Sequence, residues 1–255
     1  MKITAAQAVV DALVTEAVEY IFGLTGSHVL AITDALADVP QIRHIVVKHE
    51  SNAAYMAGAY GYLTGRPGVV LVTAGPGATN SISGVAQAYA SSLPLVHISG
   101  DVPLHAGNEA FHGVDQADFL HKMFADITKW SVRIERPEEI PSVLSRAFAL
   151  AASGRPGPVH VDIPVDIVQA TEVEATPHQP SPVERQEPPE TLIDAVRGAL
   201  AAAERPLICA GRGIMIYSAG EELVALAEAL GAPVLCTEYA NGALDRDHRL
   251  YAGAI

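Results

Sequence analysis

Short apolar runs alternate with Ala-rich amphipathic stretches along most of this chain. The runs are YIFGL, IRHIVV, GVVLVT, PLVHIS, PVHVDI, PLICAG and PVLC. They are almost continuously apolar, which is typical of strands covered on both faces. The stretches between them predict helices at about residues 4–18, 29–37, 50–64, 78–90, 138–153, 190–203 and 218–230. This alternation predicts an α/β fold, an open parallel sheet with helices on both faces.

The segment between Arg66 and Asp101 contains no formally charged residue when His is counted as neutral. It is long enough for a membrane span, but Gly75, Pro76 and Pro94 interrupt it. Backbone groups left unpaired at such interruptions are costly in lipid. We therefore expect two buried strands with a helix between them, and no membrane partner.

The alternation stops between Ala170 and Glu190, where the sequence is ATEVEATPHQPSPVERQEPPE. This Pro- and Glu-rich composition is typical of a linker. We expect a first domain at residues 1–169, a linker at 170–190, and the beginning of a second, incomplete α/β domain at 191–255. The last segment shows two strands and two helices and no closing element, so we expect something outside this sequence to complete that domain.

Composition narrows the classes of function. The chain has 16 Lys and Arg against 29 Asp and Glu, a formal net charge of −13. Binding to nucleic acid or to an anionic membrane needs clustered positive charge, so we expect neither. Cys209 and Cys236 lie in apolar runs, which predicts buried thiols in a reducing compartment. The amino-terminal helix lacks the pattern of a signal peptide, and we expect a cytoplasmic protein.

Three segments directly follow predicted strands: Thr25–His28, Lys48–Glu50 and Ala74–Asn80. Ligands of open α/β sheets bind at these carboxyl ends of the strands. The last segment contains Gly-x-Gly as in a dinucleotide-binding loop, but Asn80 stands in the position of the third glycine, and nucleotide binding is one alternative. The sequence contains no Gly-x-Ser-x-Gly, Cys-x-x-Cys, His-Glu-x-x-His or Walker lysine motif.

Glu50 has two interpretations. It follows a strand, opens a predicted helix and lies beside the uncharged segment, where a carboxylate loses much of its hydration. A group in that situation can hold a proton or share one with a heterocyclic nitrogen. The alternative is an ordinary acidic residue in a first helical turn, which the helix dipole favours.

Several motifs occur together in order: KHESNAAYMAGAYGYLTGRPGVVLVTAGPGATNSISGVAQAY, SLPLVHISGDVP, ITKW and SGRPGPVHVDIPVDI. Over about residues 1–170 the chain resembles the pyrimidine-binding amino-terminal domain of thiamine diphosphate enzymes of the acetolactate synthase group. The resemblance implies thiamine diphosphate as cofactor. It implies that Glu50 is the catalytic glutamate, which bonds the aminopyrimidine ring nitrogen and promotes formation of the thiazolium ylid. It also implies that Thr73, Pro76 and Asn80 line the aminopyrimidine pocket, and that Arg155 matches an arginine contacting FAD in flavin-containing members.

The substrate side departs from acetolactate synthase in two places. Phe111 and His112 stand where those enzymes have Phe-Gln, so an imidazole replaces an amide. Thr25-Gly26-Ser27-His28 replaces the usual Pro-Gly-Gly and is similar to the turn of benzaldehyde lyase, where a histidine at the place of His28 serves the substrate. Phe111, His112 and His28 are therefore the candidate substrate residues. A neutral His28 can relay a proton to a substrate hydroxyl, and a purely structural histidine is an equal alternative.

Members of this family hold Mg²⁺ and the diphosphate through a Gly-Asp-Gly motif in a carboxyl-terminal domain. This chain has no such motif, since Gly100-Asp101 is followed by Val102. We therefore expect no metal ligand here, Mg²⁺ held by a domain absent from this chain, and a chain inactive by itself. The resemblance implies decarboxylation or carboligation of a 2-keto acid or aldehyde in a homodimer or homotetramer. A non-catalytic binding or assembly module is the competing interpretation.

Overall fold

The computed structural model describes residues 2–104, 118–174, 179–180 and 187–255. It divides into two compact units, Met1–Arg185 and Gln186–Ile255. The helices of the first unit are Ala5–Thr15 (α1), Leu30–Leu36 (α2), Glu50–Thr64 (α3), Pro76–Asn80 (α4), Ile82–Ala90 (α5), Phe119–Ala125 (α6), Ile140–Ala152 (α7) and Val165–Val168 (α8). Its strands are Lys2–Ile3 (β1), Tyr20–Leu24 (β2), Arg43–Val46 (β3), Gly68–Val72 (β4), Leu95–Asp101 (β5), Ser131–Arg133 (β6), Pro158–Pro164 (β7) and Val173–Glu174 (β8).

Six of these strands form one parallel sheet in the order β3-β2-β4-β5-β7-β6. Every residue of β4, β5 and β7 is buried, because helices cover both faces of the sheet. Helices α1, α2 and α7 pack on one face, and α3, α5 and α6 pack on the other. The predicted fold class is confirmed for this unit.

Two Gly-Arg-Pro-Gly turns separate helices from strands as the sequence predicts. Gly65 has φ 69° and ends α3, and Gly154 has φ 55° just after α7. These left-handed values suit glycine, and the following proline prevents the helix from resuming. The uncharged segment forms β4, α4, α5 and β5, as expected except that the helix is divided at Ser81. In the described ranges no helix is both long and apolar enough to cross a membrane.

Five short helices and strands of the first unit were not predicted: α6, β6, α8, β1 and β8. Helix α6 and strand β6 lie between the predicted strands PLVHIS and PVHVDI. Strand β8 lies inside the predicted linker and pairs with β1 in an antiparallel ribbon, in which Lys2 is opposite Glu174 and Ile3 is opposite Val173. Strands β1, β6 and β8 each contain one large apolar residue, and α6 and α8 span about two helical turns or fewer, so none of them shows a repeating apolar pattern.

The second unit contains helices Glu190–Ala202 (α9), Gly213–Ile216 (α10) and Gly220–Leu230 (α11) and strands Ile208–Ala210 (β9), Val234–Cys236 (β10) and Tyr251–Ala254 (β11). The strands form a parallel sheet in the order β11-β10-β9. The expectation of two strands was wrong, because β11 occupies the segment that seemed to lack an element. Its sequence, YAGA, has no branched residue, and Gly253 has φ 117°.

The two cysteines differ in exposure. Cys236 is fully buried beneath α11, whereas Cys209 on β9 is exposed, and both are free thiols. The prediction that both are buried was therefore wrong for Cys209. Its neighbour Ala210 points into the core cluster, and successive side chains of a strand point to opposite faces.

Candidate functional site

The carboxyl-terminal ends of β2, β3 and β4 bring three predicted site residues to one edge of the sheet. His28 lies in a 3₁₀ turn, Ser27–Val29, after β2. Glu50 is the first residue of α3 after β3, and Thr73 directly follows β4. Because these strands are parallel neighbours, their ends meet, as the topology of ligand sites in open sheets predicts.

Glu50 is a nearly buried carboxylate held by an amide. Only 7% of the residue is exposed. Asn80 Nδ2 donates a hydrogen bond of 3.0 Å to Glu50 Oε2. Ser51 Oγ donates a hydrogen bond to the main-chain carbonyl oxygen of Asn80. The carboxylate is therefore oriented from one oxygen, while Oε1 lies toward Gly77, whose constructed Cβ would be 3.7 Å from it.

Two glycines bring backbone against Thr73. A Cβ at Gly26 would lie 2.5 Å from Thr73 Cβ, and one at Gly77 would lie 2.7 Å from Thr73 Cγ2. Gly75 takes φ 57°, and Pro76 then begins α4. The Gly-Pro-Gly turn thus packs its backbone against Thr73 beside Glu50, and the Thr73 side chain occupies the space that a Cβ at Gly26 or Gly77 would need.

His28 is held through one ring nitrogen. It is 7% exposed, and its Nδ1 lies 3.2 Å from Thr73 Oγ1 and 3.2 Å from Ser27 Oγ. On its other side it contacts β5, since a Cβ at Gly100 would come within 2.5 Å of His28 Cβ. Thr73 therefore joins the turn that carries His28 to the loop beside Glu50.

We expect Thr73→Val to cost about 0.5–1.5 kcal/mol of stability, because it removes the hydroxyl at His28 Nδ1 and retains the shape of the side chain. Urea unfolding of the wild-type chain and the variant measures this difference. Thr73→Ser is the matched control, since it keeps the hydroxyl and loses the methyl group that packs against Gly77. If the His28 imidazole resonances in NMR spectra respond to the serine variant and not to the valine variant, the hydroxyl does not orient His28.

Two family models match this chain. The model described as "Thiamine pyrophosphate enzyme, N-terminal TPP binding domain" matches residues 3–120. The model described as "Thiamine pyrophosphate enzyme, central domain" matches residues 193–255. Together they account for more than half of the chain. The chain belongs to the thiamine pyrophosphate enzymes.

Curated relatives of this thiamine pyrophosphate enzyme are similar over nearly all of its sequence. A probable acetolactate synthase large subunit of Methanocaldococcus jannaschii is 40% identical over 98% of this chain and 43% of its own length. The acetolactate synthase isozyme 3 large subunit of Escherichia coli is 39% identical over 99% of this chain and 44% of its own length. An acetolactate synthase of Mycobacterium bovis is 38% identical over 99% of this chain and 41% of its own length. The chain thus spans about two fifths of the length of these relatives.

Arg155 lies away from the other predicted residues of this thiamine pyrophosphate enzyme. It precedes β7, at the amino-terminal edge of the sheet, whereas Glu50 follows a strand at the carboxyl-terminal edge. Its Nε donates to Ser92 Oγ at 2.7 Å, and its Nη2 donates to the carbonyl oxygens of Tyr89 and Ala90 at 3.2 and 3.1 Å. The guanidinium thus caps the carboxyl end of α5. The candidate substrate residues Phe111 and His112 lie outside the described residues.

Sequence reasoning missed a set of polar side chains that lie on or pack against the sheet face beneath α5 and α6, all of them buried except Arg133. We call this set the polar ladder: Ser81, His97, Ser99, Asp101, Ser131, Arg133, His160 and Asp162. Burial lowers the pKa of His97 to about 3 and holds the pKa of His160 well below its usual range, so both rings are neutral. The sequence carried a usable pattern, because polar residues recur at every second position of LVHISGD and PVHVDIP.

Within the part of the chain that the structure describes, no group of three or more His, Cys, Asp or Glu side chains is placed to hold a metal ion. Glu50 with Asn80 and Thr73 with His28 form hydrogen-bonded pairs at the carboxyl edge. A carboxyl group and an imidazole are residue types that can hold and transfer a proton.

Proposed function

We propose that this chain holds the aminopyrimidine half of thiamine diphosphate at the carboxyl edge of its sheet, with Glu50 at the ring nitrogen. The observation that carries the proposal is the state of Glu50. Its carboxylate is 7% exposed, is fixed through Oε2 by Asn80, and makes no ion pair among the described residues. A carboxylate without a cation is costly to bury unless a proton donor meets its other oxygen.

The residues around Glu50 suit a flat heterocycle. The backbone of Gly26 and Gly77 packs so closely on Thr73 that a Cβ at either glycine would clash with it. The surface beside the carboxylate therefore consists of main chain and the small Thr73 side chain. Pro76 at the start of α4 fixes the direction of the loop. We propose that Thr73, Pro76 and Asn80 line the pocket for the pyrimidine ring.

Thiamine diphosphate supplies, when bound, the carbon nucleophile and electron sink for reactions of carbonyl compounds. The residues of this chain position a proton for that chemistry. Glu50 holds it at Oε1, the oxygen that Asn80 does not engage, and Asn80 keeps the carboxylate in one orientation. His28, held at Nδ1 by Thr73 and Ser27, moves a proton to or from a substrate oxygen.

The proposed substrate is a 2-keto acid, decarboxylated or ligated to a second carbonyl compound, by analogy with the acetolactate synthase large subunits. A benzaldehyde lyase-like carboligase acting on aldehydes is the second candidate, favoured by the contact of His28 with Thr73. Nucleotide binding at Gly75–Gly77 is disfavoured, because Gly77 adjoins the Glu50 carboxylate, which would repel a phosphate.

Further parts of the proposal concern the whole protein. We propose that Mg²⁺ and the diphosphate are held by a domain outside this sequence, and that the enzyme is a cytoplasmic homodimer or homotetramer. FAD is a weaker proposal that rests on Arg155. Three intramolecular hydrogen bonds engage its Nε and Nη2, so Nη1 is the guanidinium nitrogen that would contact a flavin without exchanging any of them.

Turnover by the native polypeptide that contains this sequence tests the proposal. The protein is assayed with thiamine diphosphate and Mg²⁺, with pyruvate in one series and benzoin in another. We expect consumption of pyruvate that saturates with thiamine diphosphate. Faster cleavage of benzoin would favour the lyase-like candidate. Binding of thiamine diphosphate without turnover of either compound would indicate the non-catalytic module.

A further inference from the structure

Two buried carboxyl groups meet where β5 and β7 reach the carboxyl edge of the sheet. Asp101 is 4% exposed, and Asp162 is fully buried. Arg133 on β6 lies between them, with Nη2 2.8 Å from Asp101 Oδ2 and Nε 3.7 Å from Asp162 Oδ2. We call Asp101, Asp162 and Arg133 the carboxyl clasp. It joins three neighbouring strands on the face of the sheet that carries the polar ladder.

The charges of the clasp balance only if one carboxyl group is protonated. Among the described residues, one guanidinium against two carboxylates would leave a net negative charge in a nearly buried site, which is costly. Ser99 Oγ donates to Asp162 Oδ1 at 3.2 Å and lies 2.9 Å from His160 Nε2, which leaves Asp162 Oδ2 on the side of Arg133. Burial raises the pKa of Asp162 well above its usual range, and the negative charge of Asp101 adds to this effect.

The clasp reaches His28 through the backbone of β5. Asp101 points to one face of the sheet, and the preceding residue, Gly100, points to the other. Gly100 is the residue whose constructed Cβ would lie 2.5 Å from His28 Cβ and 3.1 Å from the His28 carbonyl oxygen. Asp101 Oδ1 also accepts a hydrogen bond of 2.8 Å from the N–H of Val102, which fixes the chain as it leaves β5.

We propose that Asp101 and Asp162 share one proton and act as positioning residues that hold the end of β5 against His28. The positioning of His28 rests on the proposed function, but the shared proton is a property of this chain alone. The other described titratable groups around the clasp are His97 on β5, His160 on β7 and His121 on α6. Burial keeps His97 and His160 neutral, so neither ring supplies the positive charge that would balance the second carboxylate.

The sign of the pH dependence follows from the raised pKa of Asp162. Folding favours the protonated form relative to the unfolded chain, so this stabilisation is complete at acidic pH and is lost as the pH rises through the folded pKa. We expect the melting midpoint to fall by about 3–10 °C as the pH rises from acidic values through the folded pKa of Asp162. Asp162→Asn cannot ionise and still offers N–H to Asp101, so this component of the fall should be absent.

The experiment compares wild-type chain, Asp162→Asn and Asp126→Asn by thermal unfolding across pH. Asp126 is exposed after α6, so its variant removes the same formal charge without touching the clasp. In parallel, amide exchange of Val102 and the imidazole resonances of His28 are followed by NMR. We expect Val102 exchange to accelerate at least about tenfold, together with a change at His28, as wild-type Asp162 ionises, and neither change in Asp162→Asn.

Identical pH profiles for wild-type chain and Asp162→Asn would overturn the shared proton. Different profiles with an unchanged His28 would overturn the positioning role and leave the clasp merely structural. If Asp162→Asn does not fold, Asp101→Asn removes the same repulsion from the other partner and decides the question. None of these readouts needs cofactor or turnover, so failure here is distinguishable from failure of the proposed function.

Discussion

Glu50→Gln is expected to lower turnover of the complete enzyme by about 10²–10⁴-fold and to leave its fold unchanged. The amide has the shape of the carboxylate, and its carbonyl oxygen can still accept the hydrogen bond from Asn80 Nδ2. It cannot hold a proton at the position of Oε1, which is the contribution of a general acid or base. Initial rates with pyruvate and saturating thiamine diphosphate measure the loss.

The matched control for this prediction is Glu138→Gln. Glu138 is exposed in the 3₁₀ turn between β6 and α7, and β6 and β3, the strand before Glu50, are the two outermost strands of the sheet. The substitution removes the same formal charge. Its rate should equal that of the wild-type enzyme. A Glu50→Gln enzyme that retains full activity and an unchanged thiamine diphosphate affinity would remove Glu50 from the mechanism and restore its interpretation as an ordinary acidic residue in a first helical turn.

Phe124→Ala is expected to have the largest effect on stability, about 3–5 kcal/mol. The ring of Phe124 on α6 is fully buried, with its centroid 4.7 Å from that of His97 and 4.3 Å from that of His160. Removing it leaves a cavity against two neutral imidazoles whose burial depends on the ring. Guanidinium chloride unfolding of the chain measures the change.

Leu63→Ala provides the comparison, because Leu63 on α3 is 80% exposed and its truncation should change stability by no more than about 0.5 kcal/mol. Phe124→Leu should lie between the two variants, since it restores most of the lost volume. A cost below about 1 kcal/mol for Phe124→Ala would mean that α6 is not an integral part of the core over the polar ladder.

The hydrophobic pattern predicted the elements that contain an apolar run or a repeating apolar face, including the three-residue strands β9 and β10 in PLICAG and PVLC. Strands β2, β4, β5 and β7 and helices α1, α3 and α7 have enough residues for a period to appear, and their ends are marked by caps such as Gly65. Strand β11 and the ribbon of β1 with β8 have two to four residues each and form through pairing with distant segments. Local sequence does not encode such pairing, so these elements appear only in the folded structure.

The contacts of the candidate site were also predictable only in part. Glu50 and the segment that ends at Asn80 follow predicted strands, so topology predicts that they lie at the same edge of the sheet. The roles of Thr73 and Asn80 come from the family resemblance. The contact of Thr73 with His28 could not be predicted, because it depends on how the 3₁₀ turn after β2 packs against the loop after β4. Arg155 matched a family position by sequence, but the structure shows that its local partners are main-chain carbonyls of α5.

The ribbon of β1 and β8 has a consequence for the order in which the first unit is made. The ion pair of Lys2 with Glu172 and the hydrogen bond from Ala5 N to Ala170 O join segments about 170 residues apart. During synthesis α1 leaves the ribosome long before its partner strand exists, so loop closure over the whole unit comes last. Val9 and Leu13 on the apolar face of α1 are fully buried in the finished fold. Until the unit closes, this face can be covered only by the sheet strands that have already been synthesised.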